Sequence, residues 1–291
     1  MIPLPGAPVD WASARRASYQ ITQSFRYEYP APIRDLSHRL VVIPPERFGD
    51  QRRLRHRVSA GIDGVRFESR QDRFGNVIVD AFASHVSSAI EFLAEVSVER
   101  SSLVPNRLPA GWQKDAYLLE PSRLTAADAR IERAADELAE SAEWGLPLAD
   151  RINDWVYQSM TYKGGITGVR TTAAEALAQG YGVCQDYAHI MLAICRSAEL
   201  PARYVSGHLV GQGGTHAWVE VVLPVDDGSG DAIAWTFDPT HASRGGLEYV
   251  TIAVGADYSD VAPTSGTYVS GSAGQLITHK RVILTDVEYA I

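Results

Sequence analysis

The spacing of apolar residues changes twice along the chain, and those changes restrict the fold more than any other feature. Between residues 18 and 100 the apolar positions alternate, in SYQITQSFRYEY, HRLVVIP, LRHRVSAGID, GVRFESRQD and EFLAEVSVERS, with Pro, Asp-Gly and Gly-Asn between the runs. From 125 to 198 they recur every three or four residues, as in Ile131, Ala134, Ala135 and Leu138, or Leu148, Ile152, Trp155 and Val156. After Leu200-Pro201 strand patterns return in ARYVSGHLV, THAWVEVVLP and DAIAWTFDP, and LITHKRVILTDVE adds a last strand or hairpin. Strands, then helices, then strands predict an α+β chain. An antiparallel β module over residues 1–118 would precede a core over 119–291, in which a helix packs on an antiparallel sheet. Prolines 105, 109 and 121 mark 101–124 as a linker.

Local signals refine this. Tyr19, Ile21, Phe25, Tyr27 and Tyr29 follow a period of two, with a slip expected near Gln23. Thr125 is the expected N-cap of the first helix. Thr172-Ala-Ala-Glu175 reads as a capping box, in which hydroxyl and carboxylate each satisfy an otherwise orphan N–H, and Gly180 suits the C′ position that ends that short helix.

The stretch GYGVCQDYAHIMLAICRSAELPARYVSGH sets Cys184 behind two glycines and at the head of the next helix. Cys184, Tyr187, Ala188, Met191, Ile194, Cys195 and Ala198 form one apolar stripe, so core filling is a competing role for Cys184 and the better one for Cys195. Position favours a nucleophile: unpaired N–H groups and the dipole at a helix start stabilise a thiolate, and Gly180 and Gly182 leave room for a substrate. A thiolate also needs a base and an orienting group. Of His208, His216 and His241, His216 opens a strand beside the glycine-rich loop GQGG (211–214), on the face opposite the apolar Ala217, Val219 and Val221. If VDDGSGD closes a hairpin with Leu223 opposite Asp231, His216 falls opposite Asp238, with Cβ atoms about 4.5–5.5 Å apart.

GVCQDYAHIMLAICRSAELPARYVSG, THAWVEVVLP and WTFDPTH together resemble the bacterial transglutaminase-like branch of the papain-type cysteine enzymes. YEYPAPIRDLSHRLVVIPP and DRFGN are similar to the β-rich N-terminal region of such proteins, and VGADYSDVAPTSG to their tail. Glu199-Leu200-Pro201 replaces the family's Gly-Ile-Pro, and His241 stands where Asn commonly follows Asp-Pro-Thr. The resemblance implies a papain/transglutaminase-like core and a triad of Cys184 as nucleophile, His216 as general base and acid, and Asp238 as orienting carboxylate. It implies acyl transfer through a thioester, with the Cys184 N–H as one oxyanion donor. Tyr181 and Gln185 are candidates for the second donor, Asp257 and Tyr258 candidates for lining the cleft. Asp186 is expected to cap the helix, and His189 to have no part in catalysis.

The acceptor stays open between water, giving a peptidase or amidase, and an amine, giving transamidation. Hydrolysis is favoured because transamidation needs an amine site that excludes water. A non-catalytic peptide-binding domain is the competing class, and the presence of all three triad residues argues against it. No metal or cofactor is expected: two cysteines eleven apart lack zinc spacing, and no D-x-D-x-D-G calcium loop occurs. A net charge of −8 gives no electrostatic reason for a nucleic-acid partner. No run approaches the roughly 20 apolar residues of a membrane span. On one helix Cys184 and Cys195 would stand about 16 Å apart, too far for a disulfide. With no basic-then-apolar leader in MIPLPGAPVDWASARR, the expected location is cytoplasmic and the expected partner a peptide or protein substrate.

Overall fold

The computed structural model describes residues 9–102, 106–211 and 214–289, so Gln212 and Gly213 of the GQGG loop, Pro105 of the linker and the first eight residues lie outside it. Seven strands open the chain: β1 Ala14–Glu28, β2 Ile33–Ile43, β3 Arg47–Phe48, β4 Gln51–Ala60, β5 Arg66–Gln71, β6 Val77–Val86 and β7 Ala89–Ser101. β8 (Arg107–Leu108) and two 3-10 turns lead to α1 (Ala129–Ser141) and α2 (Leu146–Ser159). Then come β9 (Thr161–Tyr162), α3 (Ala173–Gln179), β10 (Tyr181–Gly182) and α4 (Cys184–Ser197). β11 (Ala202–Leu209), β12 (His216–Pro224), β13 (Ala232–Asp238), β14 (Ser243–Arg244) and β15 (Tyr249–Gly255) follow. The short α5 (Tyr258–Val261) precedes β16 (Thr264–Val269) and β17 (Gln275–Tyr289).

The N-terminal strands form two antiparallel sheets, ordered β17-β1-β7-β4-β3 and β16-β2-β6-β5. Each therefore receives one strand from the far end of the chain, with β17 paired to β1 along nearly its whole length. Inward-facing Tyr19, Ile21, Phe25, Ile33, Leu40, Ile90 and Phe92 fill their core. The slip expected near Gln23 is absent. Gln23 lies in phase with Ile21 and Phe25, is buried, and donates its amide to the Val42 carbonyl at 3.4 Å. A polar side chain in an apolar row resembles a register change; the irregularities of β1 against β17 fall at Ala14/Arg16 and Ser18/Tyr19 instead.

The core sheet is ordered β14-β13-β12-β11-β15, with β8 added on β13. Helix α4, buried almost throughout, packs against the β12 face carrying Ala217, Val219 and Val221. The opposite face is buried too, contrary to its reading as merely the non-core side: Trp218 packs with Tyr249 and with Phe48 and Phe74 of the N-terminal module, and Val222 packs with Trp112 and Leu118 of the linker. Two amide side chains stitch module to core. Gln51 bonds both backbone groups of Thr251, and Asn76 both of Val254, so each mimics a neighbouring strand on the edge strand β15.

Thr125 does not cap α1. Asp128 does, accepting from the N–H groups of Arg130 and Ile131. Thr125 folds back on Ser122 and takes a hydrogen bond from the buried Arg196 guanidinium, a long-range demand invisible in local sequence. The Thr172–Glu175 capping box forms, and Gly180 ends α3 with φ +70°, where a side chain would be strained.

Candidate active site

Cys184 is the first residue of α4 and is half-buried. The turn that presents it is locked by Asp186, whose Oδ2 accepts from the Val183 N–H and the Thr167 hydroxyl, both at 2.7 Å. This is the expected cap, made by the N3 carboxylate reaching back across the helix start. It also explains Gly182: a Cβ there would stand 2.6 Å from Asp186 Oδ2. Cys195, eleven residues on, is fully buried, and burial pushes its thiol up to about 12.

His216 begins β12 and Asp238 ends β13, both buried. Their register differs from the expected one. Leu223 faces Ile233, not Asp231, so the hairpin is offset by two residues and His216 is diagonal to Asp238 instead of opposite. Two residues is one full pleat, so both side chains keep their face. They meet at 2.7 Å, His216 Nε2 to Asp238 Oδ2. With Nε2 engaged by Asp238, the other ring nitrogen is left for Cys184, whose side chain is among the groups that favour charge on the ring.

Burial opposes charge on the His216 ring. The hydrogen bonds and charges of Asp238 and Cys184 outweigh it and hold the pKa up at about 9. Burial likewise opposes charge on Asp238, yet bonding and charge from His216 and His241 bring it down to about 2. The Asp238 carboxylate is well supplied with donors: Oδ2 receives His216, His241 Nδ1 at 2.7 Å and the Tyr249 hydroxyl at 2.8 Å, while Oδ1 accepts the Thr240 N–H at 2.9 Å. Ligand atoms of His216, Asp238 and His241 lie within 4.8 Å of one another, but each is already engaged in this network.

Two cavities meet at Tyr162, and Cys184 lines one of them. One, about 360 Å³, is lined by Cys184, Gln185, His216 and Tyr258 and walled by Phe25 of β1 and Lys280 of β17. The other, about 700 Å³, holds His241, Thr240, Tyr157 and Tyr187, and Tyr162 borders both. Gln185 and Tyr258 thus line the site, whereas Tyr181 and Asp257 do not. Tyr181 points outward from β10 under the Lys163 ammonium, 5.4 Å from its ring, and Asp257 caps α5 by accepting from the Ser259 N–H. His189 is buried and accepts the Tyr258 N–H at 3.2 Å, with burial pushing its pKa down to about 4. Tyr249, Tyr162 and Lys280 escaped the sequence reading. Lys280 comes from the last strand, far along the chain, and nothing in the spacing around Tyr249 or Tyr162 marks either.

Residues 132–237 match the family model of the Transglutaminase-like superfamily, and residues 19–99 that of the Bacterial transglutaminase-like N-terminal region. An uncharacterized protein of Mycobacterium leprae is 30% identical over 226 residues, covering 70% of this chain and 77% of that protein. The chain belongs to the transglutaminase-like superfamily. An uncharacterized protein of Mycobacterium tuberculosis is a further member-like relative, 25% identical over 285 residues, with 89% of this chain and 90% of that one covered. Among solved structures, a "Putative Cysteine Protease" from Cytophaga hutchinsonii superposes with a TM-score of 0.75 at 20% identity, over 95% of this chain and 93% of its own. The neighbour therefore shares the fold of both the β-rich module and the core.

Proposed function

We propose that this protein is a cysteine-dependent acyl-transfer enzyme acting on peptide or amide bonds, with hydrolysis as its outcome. The observation that carries the reading is the His216 ring, bonded to the Asp238 carboxylate and lining one cavity together with Cys184 at the start of α4. In this reading the Cys184 thiolate attacks the scissile carbonyl carbon and forms a C–S bond, and the carbonyl electron pair moves onto oxygen. The Cys184 N–H, at the open end of α4, is oriented to stabilise that oxyanion. His216 then gives its proton to the departing amine as the C–N bond breaks. Water attacks the thioester while His216 takes its proton, and the C–S bond breaks to return the thiolate. Asp238 keeps the ring in one orientation and balances its charge. Water needs no site of its own, whereas an amine acceptor does, which is why hydrolysis is preferred. The same chemistry that names the Cytophaga neighbour is carried to this chain by these contacts, since a likeness at 20% identity speaks for fold.

The test is product analysis by mass spectrometry on a peptide library, with and without a primary amine, for the wild type and Cys184→Ser. Cleavage that needs Cys184 supports hydrolysis. Amine incorporation at glutamine with loss of about 17 Da would establish transamidation instead, and peptide binding without turnover would establish a binding domain. A cytoplasmic location remains part of this proposal, supported by two free thiols, Cys184 and Cys195. Among the described residues no helix is long and apolar enough to cross a membrane.

A further inference from the structure

The smaller cavity beside Cys184 contains a positive charge that the acyl-transfer chemistry does not use. Lys280 reaches it from β17, a strand of the N-terminal module's sheet. Its ammonium lies 5.6 Å from the Phe25 ring centroid and 3.3 Å from the Thr215 hydroxyl, one residue before His216. The side chain is partly buried, and no carboxylate among the described residues forms an ion pair with it. Burial lowers its pKa, and the charge that acts against this is that of Cys184.

Such an ammonium is costly to leave without a counter-charge. Cys184 already has its cation in His216, and the hydrogen bond of Lys280 goes to Thr215, not to the sulfur. The volume, about 360 Å³, is within the range of small-molecule pockets. Its walls otherwise mix aromatic rings with neutral polar groups such as Gln185, Ser206 and Thr264. A cavity of this make-up, with an ammonium beside the nucleophile that no carboxylate of the described residues pairs, suits an anionic group carried close to the bond being broken.

We propose that Lys280 is a specificity-determining residue that receives a carboxylate of the substrate, so that the site selects peptides or amides bearing an acidic group next to the scissile bond. The proposal rests on the acyl-transfer reading of Cys184. It assigns to the C-terminal strand β17 a direct part in substrate choice. A free α-carboxylate and an acidic side chain share this chemistry.

The experiment uses the full chain and three bromoacetyl probes, whose carbon forms a C–S bond with the Cys184 thiolate as the C–Br bond breaks and bromide leaves. Bromoacetylglycine offers an α-carboxylate, bromoacetylisoglutamine a side-chain carboxylate, and bromoacetylglycinamide no charge. Alkylation of Cys184 is followed by mass spectrometry. In the wild type at least one anionic probe should gain over the neutral one relative to a small free thiol. Lys280→Met or Lys280→Gln should cut that preference about tenfold or more and leave the neutral rate within about twofold, while Lys280→Arg retains most of it. The anionic probe that gains identifies the source of the carboxylate. An unchanged preference in both uncharged variants overturns the proposal. So does an equal slowing of all three probes, which would make Lys280 a support for the thiolate. If Cys184 reacts with the neutral probe no faster than the free thiol, the acyl-transfer reading fails, and this proposal with it. A reactive Cys184 with an unchanged preference removes this proposal alone.

Discussion

His216 and Asp238 stand diagonally across β12 and β13, one pleat away from direct opposition, and their side chains close the gap to 2.7 Å. Diagonal neighbours in an antiparallel pair are farther apart at the backbone than opposed ones, yet within reach of longer side chains. The diagonal brings the imidazole to the end of the sheet where α4 begins, and Thr240, just past β13, pins the second carboxylate oxygen. Asp238→Asn keeps the shape and the Thr240 bond but cannot balance an imidazolium. We expect kcat/KM to fall roughly 10²–10⁴-fold while the protein still melts cooperatively. A variant within threefold of wild type would show that Asp238 does not orient the base.

The pH profile should have an alkaline limb set by His216. Its pKa stands near 9 in the folded protein against 6.5 for the free ring, so the protonated acid is available at neutral pH and is lost as pH rises through 9. The same shift bears on stability. The charged ring stabilises the fold fully below pH 6.5, and this contribution disappears between 6.5 and about 9. Asp238 acts in the opposite direction: its pKa near 2 against 3.8 gives stability present above 3.8 and lost as pH falls towards 2. Histidine NMR titration alongside thermal melts at stepped pH would check both. A His216 ring titrating near 6.5 would contradict the expected pairing.

His241 donates to the same carboxylate oxygen as His216. The role needs a donor more than a charge. His241→Asn should therefore keep activity within about threefold, whereas His241→Ala should lose about tenfold, the worth of one hydrogen bond to a charged group. Steady-state kinetics of the two variants separates these outcomes, and equal losses would mean that the ring, not its N–H, is required.

Much of this arrangement is legible in sequence because it is local. Thr172, Glu175, Gly180 and Asp186 act within a few residues of their own positions, and the pattern around Cys184 states both the helix and its start. Alternation placed β11, β12 and β13. What escaped is long-range. The pairing of β17 with β1 joins residues 247 to 275 apart, and no periodicity announces a partner. Lys280 reaches the site through that pairing. The hairpin register was missed by one pleat for a related reason: loop length alone does not say which pair closes the turn. The face survived the error because side-chain direction repeats every two residues. Thr125 shows the limit of propensity, since a suitable N-cap residue is claimed instead by Arg196 from another helix.

Asn76, within the DRFGN stretch, provides a stability test of how module and core are joined. Its side-chain amide donates to the Val254 carbonyl at 2.7 Å and accepts the Val254 N–H at 2.9 Å, while Asp72 holds the amide nitrogen from behind at 2.9 Å. Asn76 itself is fully buried, as is Val254. Asn76→Ala removes both bonds and leaves two main-chain groups without partners, which should cost about 2–4 kcal/mol. Asn76→Asp keeps the acceptor but sets a carboxylate oxygen against the Val254 carbonyl and beside Asp72. It should therefore be more destabilising than alanine at pH 7 and recover part of the difference as pH falls and the introduced acid is protonated. Urea unfolding at pH 7 and pH 5 would rank the two variants. An aspartate variant as stable as wild type at pH 7 would mean that this amide is not what holds β15 to the N-terminal module.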